Sequence, residues 1–263
     1  MRHCFKTAAP PSFLMRKSWW KILSVILLLY AFAAGLNVFD LPVFQVPRLP
    51  IINESIRNLY YHVSMWFAMM ILFVISVVHA IQYLSKGELK YDILSRQYAV
   101  VGMLFGVLGY ATGAIWAAFT WADPNGAAGG NFAAIAREPK LIGAAIALLI
   151  YAAYLVLRDS INDIDKKARI SAVYNIFAFA FLFPSIWIIP RLLPSLHPGG
   201  EGSDNPGIDP KSLDWRMRIV FYPAIAGWTL LGVWMATLKV RLMYLKQRGL
   251  LETDPVNDTT KDR

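Results

Sequence analysis

The sequence predicts an all-α, polytopic membrane protein with six transmembrane helices and three periplasmic loops. Three observations carry this prediction: a hydrophobic fraction of 57%, a charged fraction of 16%, and long stretches without any Lys, Arg, Asp or Glu. Globular domains contain about 25% charged residues, and a membrane-spanning helix needs about 17–25 mostly apolar residues. Six charge-free stretches reach that length, at residues 22–39, 58–85, 97–122, 141–157, 170–190 and 219–238.

The distribution of charge orients the predicted spans. The formal net charge is +9. If the N-terminus is inside, the three outer loops contain eight basic and eight acidic residues, so the whole excess lies on the inner face. Cytoplasmic loops are enriched in Lys and Arg, which predicts that both termini are cytoplasmic. The basic excess is therefore interpreted as topology and contact with anionic lipid, and nucleic acid is not expected as a partner.

The end of the first span is similar to a cleavage site, and the loop after it contains residues that break or cap helices. The span ends near Ala31-Phe32-Ala33, which is similar to a signal-peptide cleavage site, so a processed chain with five spans is an alternative. The loop then contains Pro42, Pro47 and Pro50, which prevent a regular helix. We expect Asn53-Glu54-Ser55 to cap the second span.

The remaining connections alternate between the two sides of the membrane. Residues 86–96 are predicted to form a short charged turn inside. Outside, region 116–140 contains turn-forming Asp-Pro-Asn-Gly and Gly-Gly segments, and loop 190–216 contains five prolines. The predicted organisation is a cytoplasmic N-terminal tail, a membrane domain and a cytoplasmic C-terminal tail, at residues 1–18, 19–245 and 246–263.

The third span carries a line of glycines. Gly102, Gly106, Gly109 and Gly113 recur at intervals of three or four residues, which places them on one helix face. Small residues let two membrane helices approach closely. We therefore expect this face to serve close helix packing rather than chemistry.

Histidine positions limit where a metal-binding site can form. His62 and His79 lie 17 residues apart on the second span, which separates them by about 25 Å in a helix. His3 belongs to the N-terminal tail, whereas His197 lies in the third outer loop, on the same side as His62. Only His62 and His197 are therefore predicted to converge.

The surroundings of His62 favour a flat, hydrophobic ligand. Met65, Trp66 and Met69 follow at spacings that share its helix face. Such a face suits haem, whose iron accepts axial imidazole. The alternative is an interfacial histidine that bonds a backbone carbonyl or a lipid head group, with Trp66 in the aromatic belt. For His197 the corresponding alternative is an ordinary loop histidine.

Two histidines without further ligands disfavour zinc, because structural zinc sites use four nitrogen or sulfur ligands. Haem supplies four nitrogens of its own but needs cations for its propionates. Arg57 is the candidate next to His62, and Arg48, Arg137 and Arg191 share the outer compartment. Each arginine can equally be an interfacial anchor.

Two tryptophans border the second outer loop. Trp116 and Trp121 lie at the outer end of the third span, with Phe119 between them. Aromatic side chains at this position can stack on a porphyrin or a partner protein, or simply belong to the interfacial belt.

The chain resembles the CcmC family, haem-handling proteins of system I cytochrome c maturation. The resemblance covers roughly residues 18–245 and rests on Arg57-x-x-Tyr60-x-His62-Val63, on Ser195-Leu196-His197, and on Thr112-Gly113-Ala114-Ile115-Trp116 leading into Trp121. After Trp121, residues 124–136 differ from the family's tryptophan-rich segment and contain no tryptophan.

The resemblance implies a specific function in the bacterial inner membrane. His62 and His197 would be the axial ligands of transiently bound haem b at the outer surface, and the segment of Trp116 and Trp121 would meet the haem chaperone CcmE. CcmA, CcmB and CcmD would be the other partners, and the activity would be binding and transfer rather than catalysis.

Two other functions remain open at the level of sequence. A b-type cytochrome subunit would place haem ligands within the bundle, where only His79 is available on the inner half. A haem or solute transporter would often carry ionisable residues inside the spans, and the six charge-free stretches contain no Asp, Glu, Lys or Arg.

Overall fold

The computed structural model describes residues 17–48, 53–120, 136–188, 192–193 and 209–252. Within these ranges the regular structure is helical without any strand, so the all-α prediction is confirmed for the described residues. The α-helices are α1 (Trp19–Gly35), α2 (His62–Lys86), α3 (Leu89–Thr120), α4 (Pro139–Ser160), α5 (Ile164–Phe183) and α6 (Trp215–Glu252). Shorter elements are 3-10 helices at Pro42–Phe44, Asn53–Tyr60 and Pro210–Ser212, and a π-helix at Pro184–Ile188.

Among the described residues, five helical segments are long and apolar enough to cross a membrane: Asn53–Lys86, Leu89–Thr120, Pro139–Ser160, Ile164–Ile188 and Trp215–Leu245. The first apolar stretch of the sequence forms α1, which has only 17 residues. This helix ends early because the chain turns at Asn37, whose φ is 51° and whose side-chain oxygen accepts a hydrogen bond from Leu41 N (2.9 Å). The described residues thus support a multi-pass membrane protein, and six spans stay a prediction.

Helix α2 lies at the centre of the bundle. It packs against α3, α5 and α6, while α4 packs against α3 and α5. Ala68, Met69, Leu72 and Phe73 of α2 are completely buried. The two-residue connection after Lys86 makes α2 and α3 antiparallel neighbours along most of their length.

Helix α1 is held against α6 by polar contacts to the backbone. Ser24 Oγ donates to the carbonyl of Gly227 (3.2 Å), and Tyr30 OH donates to the carbonyl of Ile219 (3.1 Å). A side chain at Gly227 would meet Leu27 and Leu28 of α1. The absence of a side chain at Gly227 therefore allows α1 to lie close to α6.

The prediction of a charged turn over residues 86–96 is wrong. Helix α2 ends at Gly87, which adopts the left-handed conformation (φ 69°), and α3 begins at Leu89. Asp92 and Arg96 consequently lie on the first turns of α3. The charges misled the sequence analysis because charged residues can be accommodated within a helix when they have partners.

The predicted cap of the second span lies at the start of its helical segment but not at the start of α2. Asn53 begins a 3-10 helix that continues to Tyr60, and α2 starts two residues later at His62. The residue before the α-helix is Tyr61, which makes no side-chain capping bond. Cap-forming residue types therefore marked the start of a helical approach segment rather than the start of α2.

A buried ion pair joins α3 and α4 at the end of the bundle opposite His62. Arg158 Nη1 and Nη2 each donate to one carboxylate oxygen of Asp92, both at 2.6 Å, and the two side chains are only 6% and 10% exposed. Asp92 lies in the first turn of α3 and Arg158 in the last turn of α4, so both charges are favourable to their helix dipoles. A more exposed pair, Arg96 with Asp159 (3.3 Å), lies beside it.

The buried pair predicts a large and partner-dependent loss of stability. Arg158→Met leaves the carboxylate of Asp92 buried without its partner, so we expect the free energy of unfolding to fall by about 3–5 kcal/mol. Adding Asp92→Leu removes the stranded charge and should recover most of that loss. The matched control is Asp159→Asn, whose exposed pair should contribute less than about 1 kcal/mol. The free energy of unfolding of the wild type and of the three variants is measured in detergent. Equal losses for Arg158→Met and Asp159→Asn would contradict the prediction.

Candidate functional site

The orientation of His62 is fixed by the backbone of α3. His62 is the first residue of α2, is partly exposed, and its Nδ1 lies 2.7 Å from the carbonyl oxygen of Gly109. A carbonyl only accepts hydrogen bonds, so Nδ1 carries the proton and donates it. In a neutral imidazole the other nitrogen, Nε2, is then unprotonated. This is the form in which a histidine binds a metal, with its second nitrogen held by a carbonyl.

The glycine line of α3 (Gly102, Gly106, Gly109 and Gly113) runs directly along the His62 side of α2. Each glycine faces one α2 side chain: Gly113 faces His62, Gly109 faces Trp66, Gly106 faces Met69 and Gly102 faces Phe73. A Cβ added at Gly113 would lie 2.8 Å from His62 Nδ1 and 3.0 Å from Nε2, which is closer than packed atoms approach. The prediction that these glycines permit close helix packing is confirmed.

The apolar face of α2 is only partly available to a ligand. Trp66 meets the imidazole of His62 edge to face, with ring centroids 6.3 Å apart, and keeps some exposure. Met65 and Met69 are buried, at 5% and 0% exposure. The apolar surface of α2 that the sequence suggested for a flat ligand is therefore smaller than expected. Helix α3 covers part of it and leaves His62 and Trp66 at its edge.

Arg57 holds together the segment that leads into α2. Its Nε donates to Glu54 Oε2 (2.5 Å), and its Nη1 donates to the carbonyls of Gly35 (2.9 Å) and Phe44 (3.0 Å). These bonds tie the end of α1, the first 3-10 helix and the approach to His62 at one guanidinium. Nη2 is not part of this clamp, so it is the portion of Arg57 that can serve an anionic group.

Trp116 links α3 to the same segment. Its indole Nε1 donates to Ser55 Oγ at 3.2 Å, and its side chain packs against the buried cluster of Ala117 and Leu141. Trp116 is partly exposed at the end of the bundle where α2 begins. An aromatic ring with one bonded edge and one accessible surface can stack on a planar ligand or a partner side chain.

The remaining predicted residues fall into two groups, those outside the described part of the chain and those within it. His197, Trp121 and Arg191 lie outside the described residues. Arg48 and Arg137 are exposed. His79 is in the other half of α2, where its Nδ1 contacts Gln82 Oε1 (2.8 Å).

No group of three or more metal-ligating side chains (His, Cys, Asp or Glu) occurs among the described residues. Haem brings its own equatorial nitrogens and so would need few protein ligands, of which His62 is the candidate in the described part of the chain.

Sequence analysis gave a bond from His62 to a backbone carbonyl as the alternative to a ligand role, and this bond is present, but the analysis did not identify the carbonyl as that of Gly109. The usable signal was a matched spacing: positions 62, 66, 69 and 73 on one helix run antiparallel to glycines at 113, 109, 106 and 102 on the next. Had the two sets been aligned, they would have indicated that His62 meets the backbone near Gly109 and Gly113. The bond from Trp116 to Ser55 had no corresponding signal.

A scan against protein-family models and a search of curated proteins both find no match to this chain. The resemblance to the CcmC family therefore stays a hypothesis that rests on the residues quoted above.

The close contact at Gly113 predicts that an added methyl group displaces His62. In Gly113→Ala we expect the imidazole to leave the Gly109 carbonyl, because the methyl occupies the space of the ring. Modification of His62 by diethyl pyrocarbonate, followed by mass spectrometry, should become several times faster. Gly102→Ala, which adds the same methyl group beside Phe73, is the control and should leave the His62 rate unchanged. Equal rates in both variants would show that Gly113 does not hold the ring.

Proposed function

We propose that this protein binds haem b at one membrane surface through His62 and His197 and passes it to a haem chaperone during cytochrome c assembly. The observation that carries the proposal is the bond from His62 Nδ1 to the Gly109 carbonyl, 2.7 Å, because it holds the imidazole in its metal-binding form. The partly exposed indoles of Trp66 and Trp116 at the same end of the bundle fit a porphyrin.

The membrane arrangement belongs to the same proposal. α1 has 17 residues and spans about 26 Å, which is at the lower limit for a transmembrane helix. Its contacts with α6 support its place as a sixth span. With both termini in the cytoplasm, the three connections 36–61, 121–138 and 189–214 face the periplasm of a bacterial inner membrane, and His62 lies at that surface.

The residues divide the task of holding haem. Iron in haem accepts imidazole nitrogen on both faces of the ring. His62 supplies one nitrogen from a helix, and His197 supplies the other from the connection between α5 and α6. Arg57 can bind a propionate through Nη2, since its Nε and Nη1 are engaged by the clamp.

Transfer of the cargo requires that one of the two histidines is released. His62 is held by the Gly109 carbonyl and pressed against Gly113, so breaking its contact with iron does not free the side chain to move away. The sequence predicts His197 in the loop between the fifth and sixth spans. We therefore assign His197 as the ligand that leaves first and His62 as the one that remains.

The partners follow from the resemblance alone. CcmE is the proposed acceptor of haem, and the segment from Trp116 to Trp121 is the proposed contact surface. CcmA, CcmB and CcmD are the proposed neighbours in the membrane. Lipid surrounds the bundle, and the exposed apolar side chains along α1, α4 and α5 suit that environment.

Histidine variants test the proposal. When a residue that hydrogen-bonds to a metal ligand is removed, the affinity for the metal typically falls about 10–100-fold. Removal of the ligand itself should reduce the affinity at least as much. We expect His62→Ala and His197→Ala each to lose most of the haem that the wild-type protein retains on purification, as measured by Soret absorbance per protein. His79→Ala, which removes an imidazole from the other half of α2, should retain the wild-type amount. Unchanged haem in both His62→Ala and His197→Ala would reject the function.

A further inference from the structure

A polar cluster lies inside the apolar bundle, away from the candidate haem site. Asn175 of α5 is completely buried, and its Nδ2 donates to Ser76 Oγ of α2 (2.7 Å) and to Ser95 Oγ of α3 (3.0 Å). Ser76 Oγ in turn donates to the carbonyl of Ser95 (2.6 Å). These three side chains join three helices within the part of the chain that lipid surrounds.

The orientation of the Asn175 amide follows from the bond that Ser76 makes. A serine hydroxyl has one proton, and that of Ser76 is directed to the Ser95 carbonyl. The atom of Asn175 that faces Ser76 Oγ must therefore be a donor, which is Nδ2. The carbonyl oxygen Oδ1 consequently points away from both serines.

Two buried oxygens on α5 then lack partners among the described residues. One is Oδ1 of Asn175, and the other is the hydroxyl of Ser171, which is 2% exposed. The two residues are four positions apart and so lie on the same helix face. Lipid offers such groups no hydrogen bond, and each one that stays unsatisfied costs several kcal/mol.

The buried residues that pack together beside these positions on α5 and α2 are three alanines, Ala168, Ala172 and Ala80, and the aromatic Tyr83. A buried water molecule needs two to four polar partners and donates as well as accepts. Asn175 Oδ1 can only accept, and the Ser171 hydroxyl can do both.

We propose that an internal water molecule binds between Asn175 Oδ1 and Ser171 Oγ and forms part of the contact of α5 with α2 and α3. The water donates one hydrogen bond to Asn175 and shares one with Ser171. Through Asn175 it extends the cluster of Ser76 and Ser95 by a further helical turn along α5.

The sign of a stability change distinguishes bound water from a merely unpaired hydroxyl. Removing an unpaired buried hydroxyl relieves a cost, and alanine is also the better helix former, so Ser171→Ala should then melt at or above the wild-type temperature. Removing a water ligand strands Asn175 Oδ1, so Ser171→Ala should melt lower. For a chain of this size we expect the melting temperature to fall by about 2–4 °C in the full-length protein in detergent.

Thr229→Val provides the matched control. Thr229 Oγ1 on α6 is also buried without a partner among the described residues, but the residues three and four positions away are Ile225, Ala226, Gly232 and Val233. Its removal should leave the melting temperature unchanged or higher. A Ser171→Ala protein that behaves like Thr229→Val overturns the proposal.

A structure of the wild-type protein at a resolution that shows ordered water tests the proposed water molecule independently of the variants. Density for a water within hydrogen-bond distance of both Asn175 Oδ1 and Ser171 Oγ is the expected result. Direct contact between these two atoms, or protein atoms filling the space, overturns the proposal, whether or not Ser171→Ala can be purified.

Discussion

The close approach of α2 and α3 is the constraint on which both the fold and the site depend. Gly113 and Gly109 leave space for the rings of His62 and Trp66, and the same proximity brings the Gly109 carbonyl to 2.7 Å from the His62 imidazole. Because the ring is packed and bonded by one helix face, its orientation is a consequence of helix packing rather than of a loop. A rigidly held imidazole suits the haem-binding function proposed above.

Polar groups within the bundle have to find partners because lipid offers none. Several of these bonds join different helices: Ser24 with the Gly227 backbone, Asn175 with Ser76 and Ser95, and Asp92 with Arg158. Arg57 does the same at the surface by binding the carbonyls of Gly35 and Phe44. These contacts specify which helix lies beside which, whereas apolar contacts alone are equally favourable toward lipid.

The sequence predicted the helical class well, because charge-free stretches of this length have few alternatives. It placed several boundaries wrongly, since Asp92 and Arg96 were assigned to a turn although pairing lets them lie within α3. It selected His62 by residue type and correctly expected Gly109 and Gly113 to serve packing. The contact between His62 and these glycines was not predicted, although the matched spacing on the two helices would have indicated it if the helices had been aligned antiparallel. His197 lies outside the described residues, so convergence of the two histidines stays a prediction.

The protonation pattern of His62 tests the central claim most directly. In the histidine nitrogen NMR spectrum of isotope-labelled protein at neutral pH, the signal that disappears in His62→Ala identifies this residue. The account predicts a protonated Nδ1, bonded to the Gly109 carbonyl, and an unprotonated Nε2. A His62 signal with the proton on Nε2 and a bare Nδ1 would contradict it, because the nitrogen assigned to iron would then be blocked and the bond to α3 would not exist.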